Sequence, residues 1–224
     1  MKDKLIKADL HLHTKYSFDC QSSLEDIIKR CQEIGISCVA IADHGTAEGA
    51  LRMKELAPFK VIVAEEILTP AGEVMGMFLK ESIPSGIPLE EAIKRIKAQG
   101  GLLCIPHPFD TVRRVGLGAK VVESLVEQID VIEVFNSRSP FPWNSSKARD
   151  FAQKYGIPAS AGSDAHTIGE IGNAYVEMPD FATKEEFLRS LEQGKIFGRM
   201  SNPLNHFASI WARLKRNLSG AADV

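Results

Sequence analysis

An α/β fold built on a parallel sheet is what this sequence predicts, and three observations predict it. Short apolar runs alternate with amphipathic helical stretches along the chain. The 224 residues are 44% hydrophobic and 25% charged, ordinary globular usage that excludes disordered, collagen-like and coiled-coil chains. Neither a linker nor an internal repeat interrupts the pattern, so one domain over residues 1–224 is expected, with core motifs at 5–170 and a strand-and-helix extension at 174–218. Alternation at this spacing implies right-handed crossovers, and the length suits either a small barrel or a doubly wound sheet.

Taken in order, residues 5–12 read as a strand and 24–34 as a helix, with Ser22 and Glu25 as a capping box and Gly35 as the stop. A buried-type strand at 38–42, a helix at 47–57, a strand at 60–64 and another at 74–79 follow. Pro88 suits the first turn of a helix that stops at Gly100. Strands at 102–105, 131–135 and 158–161 are separated by helical stretches at 119–128 and 147–155. The tail adds a strand at 174–178, a helix capped by Thr183 with Glu186, and a last segment from Pro203.

Charge narrows the function. With 27 basic and 29 acidic side chains the net charge is -2, which argues against capture of a long nucleic-acid backbone. No apolar run reaches the roughly 18 residues of a membrane span, and the charged first nine positions do not suit a signal peptide, so a cytoplasmic protein without a membrane partner is expected. The cysteines (Cys20, Cys31, Cys38, Cys104) form no C-x-x-C pair and read as reduced thiols. The Gly116-Leu-Gly118 pair lacks a third glycine and no P-loop is present, which removes nucleotide-cofactor readings.

The chemistry is carried by histidines at strand ends: His11 and His13, His44, His107 and His166. Strand alternation puts Asp9, His11 and His13 on one face and Ala8, Leu10 and Leu12 on the other. Other strand ends carry Asp43-His44, Glu65-Glu66, Pro106-His107-Pro108 and Gly162-Ser163-Asp164-Ala165-His166. In parallel sheets and barrels these ends converge on one face, and imidazole with carboxylate suits zinc, manganese or iron better than magnesium. With Asp19, Glu66 and Asp164 ionised, two or three divalent ions leave a surplus of positive charge that would hold a hydroxide and a phosphate oxyanion.

The ordered motifs Asp9-Leu-His11-Leu-His13-Thr14, Asp43-His44, Glu66, Pro106-His107-Pro108 and Gly162-Ser163-Asp164-Ala165-His166 closely resemble the PHP family (polymerase and histidinol phosphatase) over about residues 5–170. That resemblance implies a distorted (β/α)7 TIM-like barrel with two or three divalent metals at the C-terminal ends of the strands. It also implies hydrolysis of a phosphate ester by a metal-activated hydroxide. One ion would take His11, His13, Glu66 and Asp164, a second Asp19, His44 and His166, and a third Glu66 and His107. Relatives place a further histidine where Met75 stands or beyond the sixth strand, where Asn136 is the nearest candidate ligand. His107, or a water oriented by Asp164, is expected to protonate the leaving group.

Arg138, Arg113 and Arg114 are the expected phosphate contacts, because guanidinium groups bind phosphate bidentately. The expected partner is a small phosphorylated substrate, nucleotide-sized ones included. An amidohydrolase-like reading is weakened because no lysine stands where Glu66 does. A nuclease acting on nucleic-acid ends and a non-catalytic metal-stabilised regulatory or assembly module are the rival functions. Phe207, Ile210, Trp211, Leu214 and Leu218 recur at helical spacing and are expected to pack on the core, or else to mediate a homo-oligomer, with His206 at the helix start. Trp143 is expected near a substrate pocket or on a rim lid.

Overall fold

The computed structural model describes residues 4–110, 116–139 and 141–218, and thus omits Arg113 and Arg114. The strands are β1 (Leu5–Leu12), β2 (Cys38–Ile41), β3 (Lys60–Thr69), β4 (Gly72–Met77), β5 (Leu102–Ile105), β6 (Val131–Asn136), β7 (Ala159–Gly162), β8 (Ala174–Pro179) and β9 (Lys195–Gly198). The helices are α1 (Leu24–Ile34), α2 (Glu48–Leu56), α3 (Leu89–Ala98), α4 (Ala119–Ser124), α5 (Pro142–Tyr155), α6 (Lys184–Glu192) and α7 (His206–Leu218). The sheet order is β7-β6-β5-β4-β3-β2-β1-β8-β9.

β1 has two partners along one edge. Leu5 to Ala8 pair antiparallel with β8. Further along, Asp164 N donates to His11 O at 2.8 Å and His13 N to Ala165 O at 3.1 Å, which brings the end of β7 against β1 and nearly closes a barrel. The expected distorted (β/α)7 TIM-like barrel is therefore present, with β8 and β9 as an appendage.

The wholly parallel sheet is corrected. β4 runs antiparallel to both β3 and β5 because only Pro70 and Ala71 separate it from β3, far too few residues for a crossover. The consequence for function is direct: β4 begins at the barrel mouth, where β3 leaves the barrel.

Two apolar layers follow from strand alternation. Ile62, Ala64, Met75, Met77 and Cys104 fill the barrel, while Val39, Ile41, Val63 and Ile67 pack outward with Ile27, Met53 and Ile96 of the helices. The α1 cap lies one residue later than expected. Ser23 Oγ accepts from Asp26 N at 3.1 Å, and Gly35 ends the helix at φ 72°, a left-handed conformation that glycine adopts without a Cβ penalty. Thr183 caps α6 as expected.

α7 departs from its expected role. Phe207, Ile210, Trp211 and Leu214 are exposed, and the side chains turned inward are Ser209 and Ala212. The apolar stripe therefore does not pack on the core. Trp143 is also exposed, stacked on Phe141 at 4.2 Å between centroids. No helix among the described residues is long and apolar enough to cross a membrane. The cysteines are free and buried.

Candidate metal centre

The first strand reaches the site through a β-bulge. Ala8 pairs with Cys38 and Asp9 with Val39, but Leu12 pairs with Ile41, so β1 carries one extra residue between them. Ala8 and Leu10 face the barrel interior, whereas Leu12 packs outward, and His11 and His13 both reach one donor group with Asp164. Plain alternation is corrected here: Asp9 does not share the histidine face. Its carboxylate accepts from Ser163 N at 2.8 Å and Gly172 N at 2.9 Å, so it ties β1 to the loops after β7. Burial pushes its carboxyl up to about 6.

His11 Nδ1 lies 3.1 Å from Glu133 Oε1, and a proton donated there leaves Nε2 pointing into the site with its lone pair. His166 Nδ1 likewise donates to Asp164 O at 2.8 Å. Around His11 Nε2 stand His13 Nε2 at 3.2 Å, Glu66 Oε2 at 3.4 Å and Asp164 Oδ1 at 3.9 Å. His13 Nε2 is 3.5 Å from Glu66 Oε2 and 3.3 Å from Asp164 Oδ1. Donors at about 2.0–2.2 Å from a tetrahedral ion lie about 3.3–3.6 Å from one another, so these edges fit a shared cation.

A second group comprises Asp19, His44 and His166, with His13 adjoining. Asp19 Oδ2 lies 3.5 Å from His44 Nε2 and 3.3 Å from His166 Nε2. Glu66 spans to a third group: Oε2 is 3.3 Å from His44 Nδ1, and Oε1 is 2.9 Å from His107 Nε2. Each of these groups can hold one divalent ion, and all are buried or nearly so.

The third group contains a residue that sequence reading missed. Glu73, near the start of β4, places Oε1 at 3.8 Å from His44 Nδ1 and Oε2 at 3.6 Å from His107 Nε2. Met75, the position singled out from the sequence, is one step deeper on the same face and lies in the barrel core. The signal was present, since alternation from Met75 toward the mouth reaches Glu73. It needed the antiparallel hairpin to be recognised.

Asn136 is engaged by its neighbours. Its Nδ2 donates to Glu133 Oε2 at 3.0 Å and to Asp164 Oδ2 at 3.2 Å, and its Oδ1 accepts from Arg138 N at 2.9 Å. Both ends of the amide are occupied in holding neighbours. Glu133, also missed, accepts from His107 N at 2.8 Å as well as from His11. Asp43 accepts from Thr14 N at 2.6 Å and Thr14 Oγ1 at 2.7 Å, which shapes the loop after β1.

Electrostatics fit cation binding. Burial alone lowers a histidine pKa, yet Glu66, Glu133 and Asp164 hold His11 well above its ordinary value. Asp19 and Glu66 likewise raise His44 to about 9 against its burial. His13, buried and flanked by His166 and His44, falls to about 3 and is a neutral imidazole. Burial and the neighbouring Glu66 charge push Glu73 up to about 7. The cluster thus draws in positive charge wherever a carboxylate faces it, a demand that a divalent ion could meet in place of protons. His107 (φ 29°) and Asp164 (φ 53°) adopt left-handed backbone conformations rare for non-glycine residues, which is common at functional sites.

The cleft above these groups has a volume of about 290 Å³. Arg138 lines it, with Nη2 donating to Ser209 Oγ at 3.0 Å and Nε 3.4 Å from Glu170 Oε1. Ser209, Ile210 and Arg213 of α7 line it as well.

The chain is similar to known proteins to differing degrees. The uncharacterized protein MJ0417 of Methanocaldococcus jannaschii is 38% identical over 198 residues, covering 84% of this chain and 79% of that one. A two-domain Bacteroides vulgatus protein containing a predicted PHP-like metal-dependent phosphoesterase superposes with TM-score 0.73 at 15% identity, over 94% of this chain and 70% of that one. An amidohydrolase from Chromobacterium violaceum with bound sulfate and no metal superposes with TM-score 0.63 at 17% identity, over 85% and 97% of the two chains. These two structures share the fold. A PHP-associated model matches residues 142–196, and the PHP domain model matches residues 9–73, the stretch that carries the bulged His-x-His strand, Asp19, His44, Glu66 and Glu73, so the chain belongs to the PHP family.

Proposed function

We propose that this protein hydrolyses small phosphate esters with the help of two or three divalent ions. Family membership and the buried His/Asp/Glu groups support a metal-dependent hydrolase in general. The observation that carries the finer reading is the single carboxylate Glu66, whose oxygens lie 2.9–3.5 Å from His11, His13, His44 and His107 and so join every donor group on one cleft floor. Ions held so close together suit in-line displacement at phosphorus. The sulfate held by the Chromobacterium violaceum neighbour is a tetrahedral oxyanion like phosphate, and the Bacteroides vulgatus neighbour carries the phosphoesterase description.

His11, His13, Glu66 and Asp164 would hold one ion, Asp19, His44 and His166 a second, and Glu66, Glu73 and His107 a third, with zinc, manganese or iron suited to the donors. Bound divalent ions supply Lewis acidity and a water of lowered pKa. The chain's own part is to fix and orient. Glu133 and Asn136 hold His11, His107 and Asp164 in place, and Arg138 offers a guanidinium to the phosphate oxygens from the cleft wall. The proton for the leaving alcohol would come from His107 when that imidazole carries no ion, or from a water that Asp164 orients.

The test is activity of protein stripped and reloaded with manganese or zinc, against phosphomonoesters, nucleotides, an aryl phosphate diester and an amide panel, beside His13→Ala. Metal-dependent phosphate release lost in the variant is expected. Turnover of amides alone would move the assignment to C–N hydrolysis. Tight metal binding without turnover of any substrate would favour a non-catalytic module.

A further inference from the structure

Residues 199–218 lie beyond both matched segments, yet they build one wall of the cleft. α7 rests on the protein through polar contacts rather than through its apolar stripe. Arg216 Nη2 donates to Lys15 O at 3.0 Å, Ser209 Oγ accepts from Arg138, and Arg213 Nη2 donates to Asp19 Oδ2 at 2.9 Å. The Arg213 guanidinium also lies over the Phe18 ring, 4.8 Å from its centroid, which holds its plane. Its side chain is 53% exposed, while Asp19 is buried at 3%. The bond to Asp19 is the one hydrogen bond that Arg213 makes among the described residues, so most of its five N–H donors face no protein acceptor.

From this geometry we infer that Arg213 is a substrate-binding residue: its guanidinium takes the non-bridging oxygens of the phosphate, and α7 is the element that delivers it. The inference rests on the phosphoester reading above. Asp19 is a candidate metal ligand, and an ion on that carboxylate weakens its hold on the guanidinium. A phosphate on the cleft floor is then the stronger acceptor, and bidentate contact with an oxyanion is the geometry arginine favours. Arg138, which donates to Ser209 of the same helix, lines the same cleft, so the anion would meet two guanidinium groups above the ions. Ile210 lines the same wall and offers an apolar surface to the ester's alcohol.

The test is calorimetric titration of inorganic phosphate into the manganese-loaded full chain, for wild type, Arg213→Gln, Arg213→Lys and Arg216→Gln, with metal content and Tm measured on each. Arg213→Gln is expected to weaken phosphate binding by roughly tenfold or more, with metal equivalents unchanged. KM should rise more than kcat falls. Arg213→Lys should lie between, and Arg216→Gln, which loosens the same helix without touching the cleft, should bind phosphate as wild type does. Unchanged phosphate affinity in Arg213→Gln would overturn the assignment and leave Arg213 as a counter-charge to Asp19. Loss of metal from that variant would overturn it too, in favour of a role in positioning Asp19. If loaded wild type binds no phosphate and turns over no ester, the phosphoester reading fails and this inference with it.

Discussion

Glu65 and Glu66 are neighbours on β3 that face opposite sides of the sheet. Glu66 enters the histidine cluster, and Glu65 turns outward, where its Oε2 accepts from Ile83 N at 2.8 Å. A Glu66→Gln protein should lose metal because Glu66 adjoins every donor group. Dialysed against a chelator and assayed by elemental analysis, it should retain less than one equivalent, while Glu65→Gln retains the wild-type number. The reverse pattern would put the wrong glutamate in the site.

The same residue makes a prediction about pH. Burial pushes the Glu65 carboxyl up to about 8 from an ordinary value of 4.5, and its Oε1 has no hydrogen-bond partner among the described residues. Its pKa is raised in the folded state, so its contribution to stability is fully present below about 4.5 and is lost as pH rises through about 8. Glu65→Gln mimics the protonated acid and removes that loss, which is on the order of a few kcal/mol. The Tm of the variant should equal wild type near pH 4, exceed it increasingly up to about pH 8 and change little above that. A constant Tm difference across that range would contradict the burial argument.

Glu133 touches no candidate ion but holds His11 Nδ1 and the His107 amide. Removing its charge leaves the ligand set whole while freeing the His11 ring. Glu133→Gln should lower metal affinity by about 10–100-fold, as loss of an orienting carboxylate generally does. Competition with a chelating dye measures this directly. An unchanged affinity would mean that packing alone fixes His11.

Much of this was legible in the sequence, for identifiable reasons. Histidines and carboxylates at strand ends survive errors in strand length, so His11, His13, His44, Glu66, His107, Asp164 and His166 stand out as candidates, and the structure brings them together, although β3 runs to Thr69 rather than ending near Ala64. What escaped depends on backbone events that side-chain pattern does not encode. The bulge in β1 reassigned Asp9 from the ligand face to a strand tie. A register shift in β6 between Glu133 and Phe135 accompanies the inward turn of Asn136 toward Glu133 and Asp164. The two-residue turn before Gly72 brought Glu73 to the mouth. Arg213 reaches Asp19 from 194 positions away, through a helix whose apolar stripe suggested the opposite orientation.

Closure of the barrel makes a prediction at Gly162, the last residue of β7. A Cβ there would stand 2.3 Å from His11 Cβ and 2.7 Å from His11 N, atoms fixed in the strand that carries the ligands. Backbone cannot yield as a side-chain tip can, so β7 and β1 must separate. Gly162→Ala should cost about 2 kcal/mol or more, about 4–8 °C in Tm for a chain of this size. The displaced strand carries His11 and His13, so metal affinity should fall together with stability, although no ligand has changed. Thermal denaturation with and without added manganese separates the effects: the stabilisation that manganese gives wild type should shrink in the variant. If Gly162→Ala keeps both the wild-type Tm and the full metal-induced shift, the β7–β1 contact is looser than its 2.8 Å Asp164 N to His11 O hydrogen bond implies.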